Sequence, residues 1–173
     1  YTVNVFAGEN NTAGTPAISE TVTITAGTDY TVFAGGGANG IPLGLFPLVD
    51  ETTAPGANEA KVRIVHAAPF APQAATAVDI RSNADGNPVI AGLTGIEFGE
   101  FSDPYVTLPA GAADLAVNVT SVGGDTTIIG PIPANLPDQT VASIFAIGGA
   151  NEYPAEVLVV PGRIVPTEEP ATA

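Results

Sequence analysis

Phe33-Ala-Gly-Gly-Gly-Ala-Asn39 and Phe145-Ala-Ile-Gly-Gly-Ala-Asn151 are two versions of one segment, about 112 residues apart, and such self-similarity marks a repeat architecture. Upstream of each copy lies a second match, Tyr1-Thr-Val-Asn-Val5 with Asp114-Leu-Ala-Val-Asn-Val119, and downstream a third, residues 45–49 with 157–160. The three matches keep their order and nearly their spacing. Residues 1–50 therefore correspond to the second half of a unit that occupies 59–161 in full. Residues 51–58, rich in Thr, Pro and Gly, read as a linker, and 162–173, with Pro166, Glu168, Glu169 and Pro170, as a Pro/Thr/Glu linker or tail. A half-unit leaves an apolar face and a strand edge uncovered. It is expected to be completed either by an upstream segment that is missing or by strands of another chain. In the second case Val3 and Val5 are the assembly residues.

The segments between turn signals are strand-sized. Runs of β-branched, aromatic and other apolar residues occur at 2–6, 20–25, 30–33, 61–66, 77–81, 105–108, 115–120, 140–147 and 156–160. Clusters such as Ala26-Gly27-Thr28-Asp29, Asn83-Ala84-Asp85-Gly86-Asn87-Pro88 and Pro109-Ala110-Gly111 separate them and supply the backbone angles that turns need. No helical period is evident, and 20 Gly and 16 Pro in 173 residues would interrupt most helices. The expected fold is all-β: Ig-like or Greek-key antiparallel β-sandwich repeats with little or no helix.

Apolar residues form 45% of the chain and charged residues 13%, which is the composition of a packed protein. The net charge is −14, and Lys61, Arg63, Arg81 and Arg163 are its only fixed cations. Four scattered cations cannot neutralise a row of phosphates, so nucleic acid is excluded as a partner. The same deficit argues against docking on anionic lipid, and the longest apolar stretches fall far short of the ~20 residues that a membrane helix needs. With no cysteine there are neither disulfides nor a thiolate metal site. Surface acidity of this kind keeps an apolar, sheet-rich protein soluble. Tyr1 stands without an initiator methionine or a signal pattern, which reads as a processed product or a fragment.

Ala60-Lys-Val-Arg-Ile-Val-His-Ala-Ala-Pro69, followed by Val78-Asp-Ile80, the turn at Asp85-Gly86 and Val106-Thr-Leu-Pro-Ala-Gly111, resembles a prokaryotic family known as domain of unknown function 4397. The most specific pieces are Arg63 to Pro69 and Leu108-Pro-Ala-Gly111. The resemblance extends over the complete second unit and, through the repeat, over the partial first one. It implies secreted or surface-anchored proteins, often in tandem copies, with no catalytic activity. Residues 70–76 and 92–103 depart from the family pattern.

Candidate chemistry is sparse. His66 is the only histidine, so any nucleophilic triad would have to use it, with Asp79 the nearest acid. Its place near the end of an apolar strand is that of a structural, hydrogen-bonded residue. Glu97, Glu100 and Asp103 share one loop and suit a solvated acidic surface better than paired carboxylates. Hard oxygen donors make calcium the most plausible metal, with Asp85, Asn87, Glu97, Glu100 and Asp103 as its ligands, although Asp85-Gly86 is also an ordinary hairpin turn. The Gly runs at 35–37 and 148–149 lack the lysine and the following helix of a phosphate loop. Asn10 and Asn118 fit the glycosylation triplet, and alternation with inward Val117 and Val119 turns Asn118 outward.

These features lead to a non-enzymatic extracellular protein at the cell surface, structural or adhesive, that self-assembles as a homopolymer or strand-exchanged oligomer into a filament, surface layer or matrix. No catalytic residue and no cofactor besides calcium is expected. The alternative is an extracellular binding module that recognises a glycan, a cell-wall polymer or a protein through end loops.

Overall fold

Residues 59–66 form the strand around which everything else is arranged. In the computed structural model, which describes residues 1–8, 14–111, 116–133, 136–150 and 152–165, β5 (Glu59–His66) is buried at six of its eight positions. It lies between β10 (Thr140–Ile147) and β7 (Val106–Pro109) in a sheet of order β11-β10-β5-β7, where β11 is Glu156–Pro161. A second sheet, β6 (Val78–Ser82), β8 (Ala116–Ser121) and β9 (Thr127–Pro133), has the order β6-β8-β9. The remaining strands pair as two hairpins, β1 (Thr2–Val5) with β2 (Ile18–Thr21) and β3 (Tyr30–Gly35) with β4 (Gly44–Val49). The one helical element among the described residues is a single 3-10 turn at Gln73–Ala75. The protein is thus all-β, with antiparallel pairing throughout except between β5 and β10, which run parallel.

Alternation along β5 explains why both of its faces are dry. Ala60, Val62 and Ile64 point towards Val78, Ile80, Val117 and Val119 of the second sheet, closing one apolar core with Leu93, Ile96 and Leu136. Val65 points the other way, into a second core with Leu48 of β4 and Phe145 of β10, against which Phe33 packs. The β3–β4 hairpin therefore covers the outer face of the β5–β10 sheet, giving three layers. Strands buried on both faces read as near-continuous apolar runs, which is the pattern of residues 60–66.

The segments that match in sequence also match in geometry. Phe33 pairs with Phe46 across β3–β4, and Phe145 with Leu158 across β10–β11. Asp50 N–H donates to Asp29 O at 2.9 Å, and Gly162 N–H to Val141 O at 2.7 Å. Each hairpin closes through the same loop, with Gly37 N–H to Ile41 O at 2.9 Å in one and Gly149 N–H to Tyr153 O at 2.9 Å in the other. Gly36 (φ 92°) and Gly148 (φ 73°) both lie in the left-handed region. A Cβ there would stand 2.0 Å from Pro42 O or 2.1 Å from Pro154 O, so the repeated Gly-Gly is a requirement of the loop.

Two expectations need correction. No strand was expected at 127–133, where Gly130, Pro131 and Pro133 look like breakers; β9 forms because it is an edge strand with register irregularities against β8, a place that tolerates proline. The strand expected at 20–25 is observed earlier, at Ile18–Thr21, and Val22 N–H instead bonds Tyr1 O at 2.8 Å.

Gly36→Ala and Gly148→Ala should each destabilise by about 2 kcal/mol or more, from the left-handed strain and the carbonyl clash together. Urea unfolding measures this. Loss at only one of the pair would show that the two loops are not equivalent.

Candidate functional site

Arg63, in the middle of β5, is 1% exposed. Its Nε and Nη2 donate to Ser143 Oγ at 3.1 and 2.7 Å, Nη1 to Val49 O at 2.7 Å, and Nη2 to Asp50 Oδ1 at 2.7 Å. The guanidinium also sits 5.1 Å from the Tyr105 ring centroid. A buried cation needs a counter-charge and filled donors. Here both come from the end of β4 and from β10, so Arg63 ties the β3–β4 hairpin to the β5–β10 sheet. Thr31 Oγ1 donates to the other Asp50 oxygen at 2.9 Å.

His66 is fully enclosed. Its Nδ1 accepts from Ala68 N–H at 3.3 Å, which places the proton on Nε2, 2.8 Å from Thr76 O. The ring stacks on Phe70 at 5.5 Å. Burial pushes its pKa below the ordinary value, against the opposing influence of the Thr76 carbonyl and the Glu100 charge. Asp79 has its own partners: Thr94 Oγ1 at 2.7 Å, Gly95 N–H and Gly123 N–H at 3.0 Å each, and Arg81 Nη2 at 3.0 Å. Burial alone would raise its pKa, but these donors outweigh that and hold it down at about 2. The bonds of His66 and Asp79 do not join them into a dyad; each ties loops to strand ends.

The acidic candidates are spread over separate turns. Asp85 is exposed in the Gly86 turn, while Asn87 O accepts from Arg81 Nη1 at 3.0 Å. Glu100 caps its own turn by accepting from Glu97 N–H at 2.9 Å, and Asp103 is exposed before Pro104. Among the described residues no three His, Cys, Asp or Glu side chains gather into a group able to hold a metal ion. Val117 and Val119 do point into the core, but Asn118 is 6% exposed rather than free in solvent. Its Nδ2 donates to Asn83 Oδ1 at 3.0 Å and Asn87 Oδ1 at 3.4 Å, so the folded chain presents no accessible amide there for a glycan. Asn10 lies outside the described residues.

One concavity was not expected from the sequence. A hollow of about 540 Å³ runs along β3 from Thr31 to Gly35, and its other walls include Phe145, Leu158 and Val160 of β10–β11. Leu158 is 49% exposed on its surface and Val32, on the rim, 41%. Among the described residues, β3 has β4 on one side and no strand on the other.

The geometry defines an all-β sandwich protein whose buried polar groups serve as ties between strands. Residues 1–74 match the family described as Domain of unknown function (DUF4397), the family that the Arg63–Pro69 motif resembles. The match spans β1 to the 3-10 turn; Leu108 to Gly111 lie beyond it. No curated protein and no solved structure matches the chain.

The two buried titratable groups act in the same direction with pH. Each has a folded pKa below its ordinary value, so each stabilises the fold fully above that value and less as pH falls. His66 acts first, below its ordinary 6.5; Asp79 follows, from 3.8 down to about 2. Asp79→Ala should cost about 2–4 kcal/mol by stranding buried donors and remove the lower part of the acid-side slope, as read by urea unfolding from pH 7 to pH 2. An unchanged slope would contradict the assignment.

Proposed function

We propose that the chain is a non-catalytic structural or adhesive module of an extracellular protein, assembled from β-sandwich units into a surface filament, layer or matrix. The observation that carries this reading is the contrast between equivalent positions in the two units. Val117 and Val119 are 8% and 5% exposed, whereas Val3 and Val5 are half-buried. Ala146 is buried and Ala34 exposed; Ile144 is half-buried and Val32 exposed. Among the described residues, 59–161 close over their core while 1–50 present the equivalent apolar face uncovered. An open edge beside such a face favours strand addition from outside.

The fate of the polar groups supports the same reading. Arg63, His66 and Asp79 spend their hydrogen bonds on holding strands and loops together, which leaves these three without a free group for chemistry. The charge of −14 opposes unspecific aggregation, which favours association through a specific surface. A second reading, a module that binds a glycan or cell-wall polymer, draws on the apolar hollow beside β3 and on Tyr153, 74% exposed at its margin.

Sedimentation velocity and electron microscopy at moderate salt test the proposal. Association that grows with concentration is expected. Val3→Asp and Val5→Asp should weaken it without lowering the unfolding midpoint of the second unit. A strict monomer at all concentrations would overturn self-assembly, and a monomer that binds cell-wall polymer would favour the second reading.

A further inference from the structure

Asn39-Gly40 is the one Asn-Gly pair in the 173 residues, and it lies in the loop between β3 and β4. Ile41 N–H donates to Ala38 O at 2.9 Å, and both residues between them have positive φ, 50° at Asn39 and 78° at Gly40. That is a type I′ turn, for which Asn-Gly is a preferred pair. Both residues are exposed, and a Cβ built on Gly40 meets nothing within 4 Å. Among the described residues, Gly40 N–H has no hydrogen-bond partner.

The side chain of Asn39, by contrast, is engaged. Its Nδ2 donates to Pro69 O at 2.6 Å, across 30 positions of the chain. Pro69 belongs to the segment that leaves β5, which also meets the equivalent glycine loop between β10 and β11. Ala67 N–H donates to Ala146 O at 2.8 Å, and a Cβ on Gly149 would stand 2.8 Å from Phe70 Cβ. Phe70 stacks on His66, whose Nδ1 accepts from Ala68 N–H. The Asn39 amide is thus a side-chain tie from the β3–β4 loop to residues 67–70.

We propose that Asn39 is a modification site at which solvent water, with no enzyme, converts the amide to a carboxylate and so cuts this tie. Gly40 N loses its proton to hydroxide and bonds to Asn39 Cγ, while the Cγ–Nδ2 bond breaks and the nitrogen leaves as ammonia. Water then opens the five-membered imide at either carbonyl, giving aspartate or, with the main chain rerouted through Cγ, isoaspartate. The net change is amide plus water to carboxylate plus ammonium, and nothing is oxidised. The attacking nitrogen needs a path clear of side chains, which Gly40 offers. In the second copy of the loop sequence Glu152 stands in the place of Gly40, after Asn151, so the pair occurs in one copy alone.

Either product exchanges a donor for an anion. An ionised carboxylate only accepts, so it cannot bond Pro69 O and is repelled by it. The fold sets the pace, because Asn39 has to leave Pro69 O before its Cγ can meet Gly40 N; conversion proceeds through local opening of the loop. The amide acts as a timer that holds the loop to residues 67–70 until it is hydrolysed.

The test is to age the full chain at mildly alkaline pH, separate the converted form by its added negative charge on anion exchange, and map it by mass spectrometry. Asn39 should be converted ahead of Asn4, Asn58, Asn83, Asn87 and Asn118, with isoaspartate among its products. Hydrogen exchange on the separated forms should show lost protection at Ala67, Ala68 and Phe70 in the converted chain, with β6 and β8 unchanged. Asn39→Asp should reproduce that loss without ageing, and Asn39→Gln, whose longer side chain closes the ring poorly, should resist conversion. Asn39 left intact by ageing, or equal protection of 67–70 in the converted and intact forms, would overturn the inference.

Discussion

Burial of β5 on both faces is the constraint on which the rest depends. A central strand with two dry faces needs a layer on each side, and the chain supplies them from different segments: the β6-β8-β9 sheet on one side and the β3–β4 hairpin on the other. Arg63 makes the second contact specific. Four hydrogen bonds to Ser143, Val49 and Asp50 fix where the hairpin sits, and a guanidinium this enclosed tolerates no shift that would strip it of its carboxylate. Apolar contact alone would hold the layers together but would leave their register looser.

Among the described residues, 59–161 form seven strands in two sheets, and 1–50 form strands equivalent to four of them. The face-to-face contact pairs equivalent surfaces and so is used up within one chain. Among the described residues, the exposed apolar positions Val32 and Leu158 lie beside the edge of β3 that no other strand covers.

The strand positions were legible because β-branched runs and Gly-Pro punctuation are local signals. Val117 and Val119 were read correctly as inward by alternation. β9 was missed because Pro131 and Pro133 argue locally against a strand, and only its edge position removes the objection. Asn118 turns away from the core as alternation requires, yet it is covered by Asn83 and Asn87, residues some 30 positions away in the chain; no local pattern carries that. Arg63 could have been singled out. A lone Arg inside Val-Arg-Ile-Val is a charge in an otherwise buried run, and such a charge demands a distant acid, here Asp50. The parallel pairing of β5 with β10 and the hollow along β3 both depend on which face the hairpin covers, a tertiary choice.

Residue-resolved hydrogen exchange on the free protein tests the account most directly, because β3 and β10 are equivalent strands in different surroundings. Among the described residues, β10 has neighbours on both edges and β3 on one. The account predicts that β10 amides facing β5 are among the slowest in the molecule, and that their β3 counterparts on the open edge exchange orders of magnitude faster. Equal protection of the two strands in a monomer would contradict it.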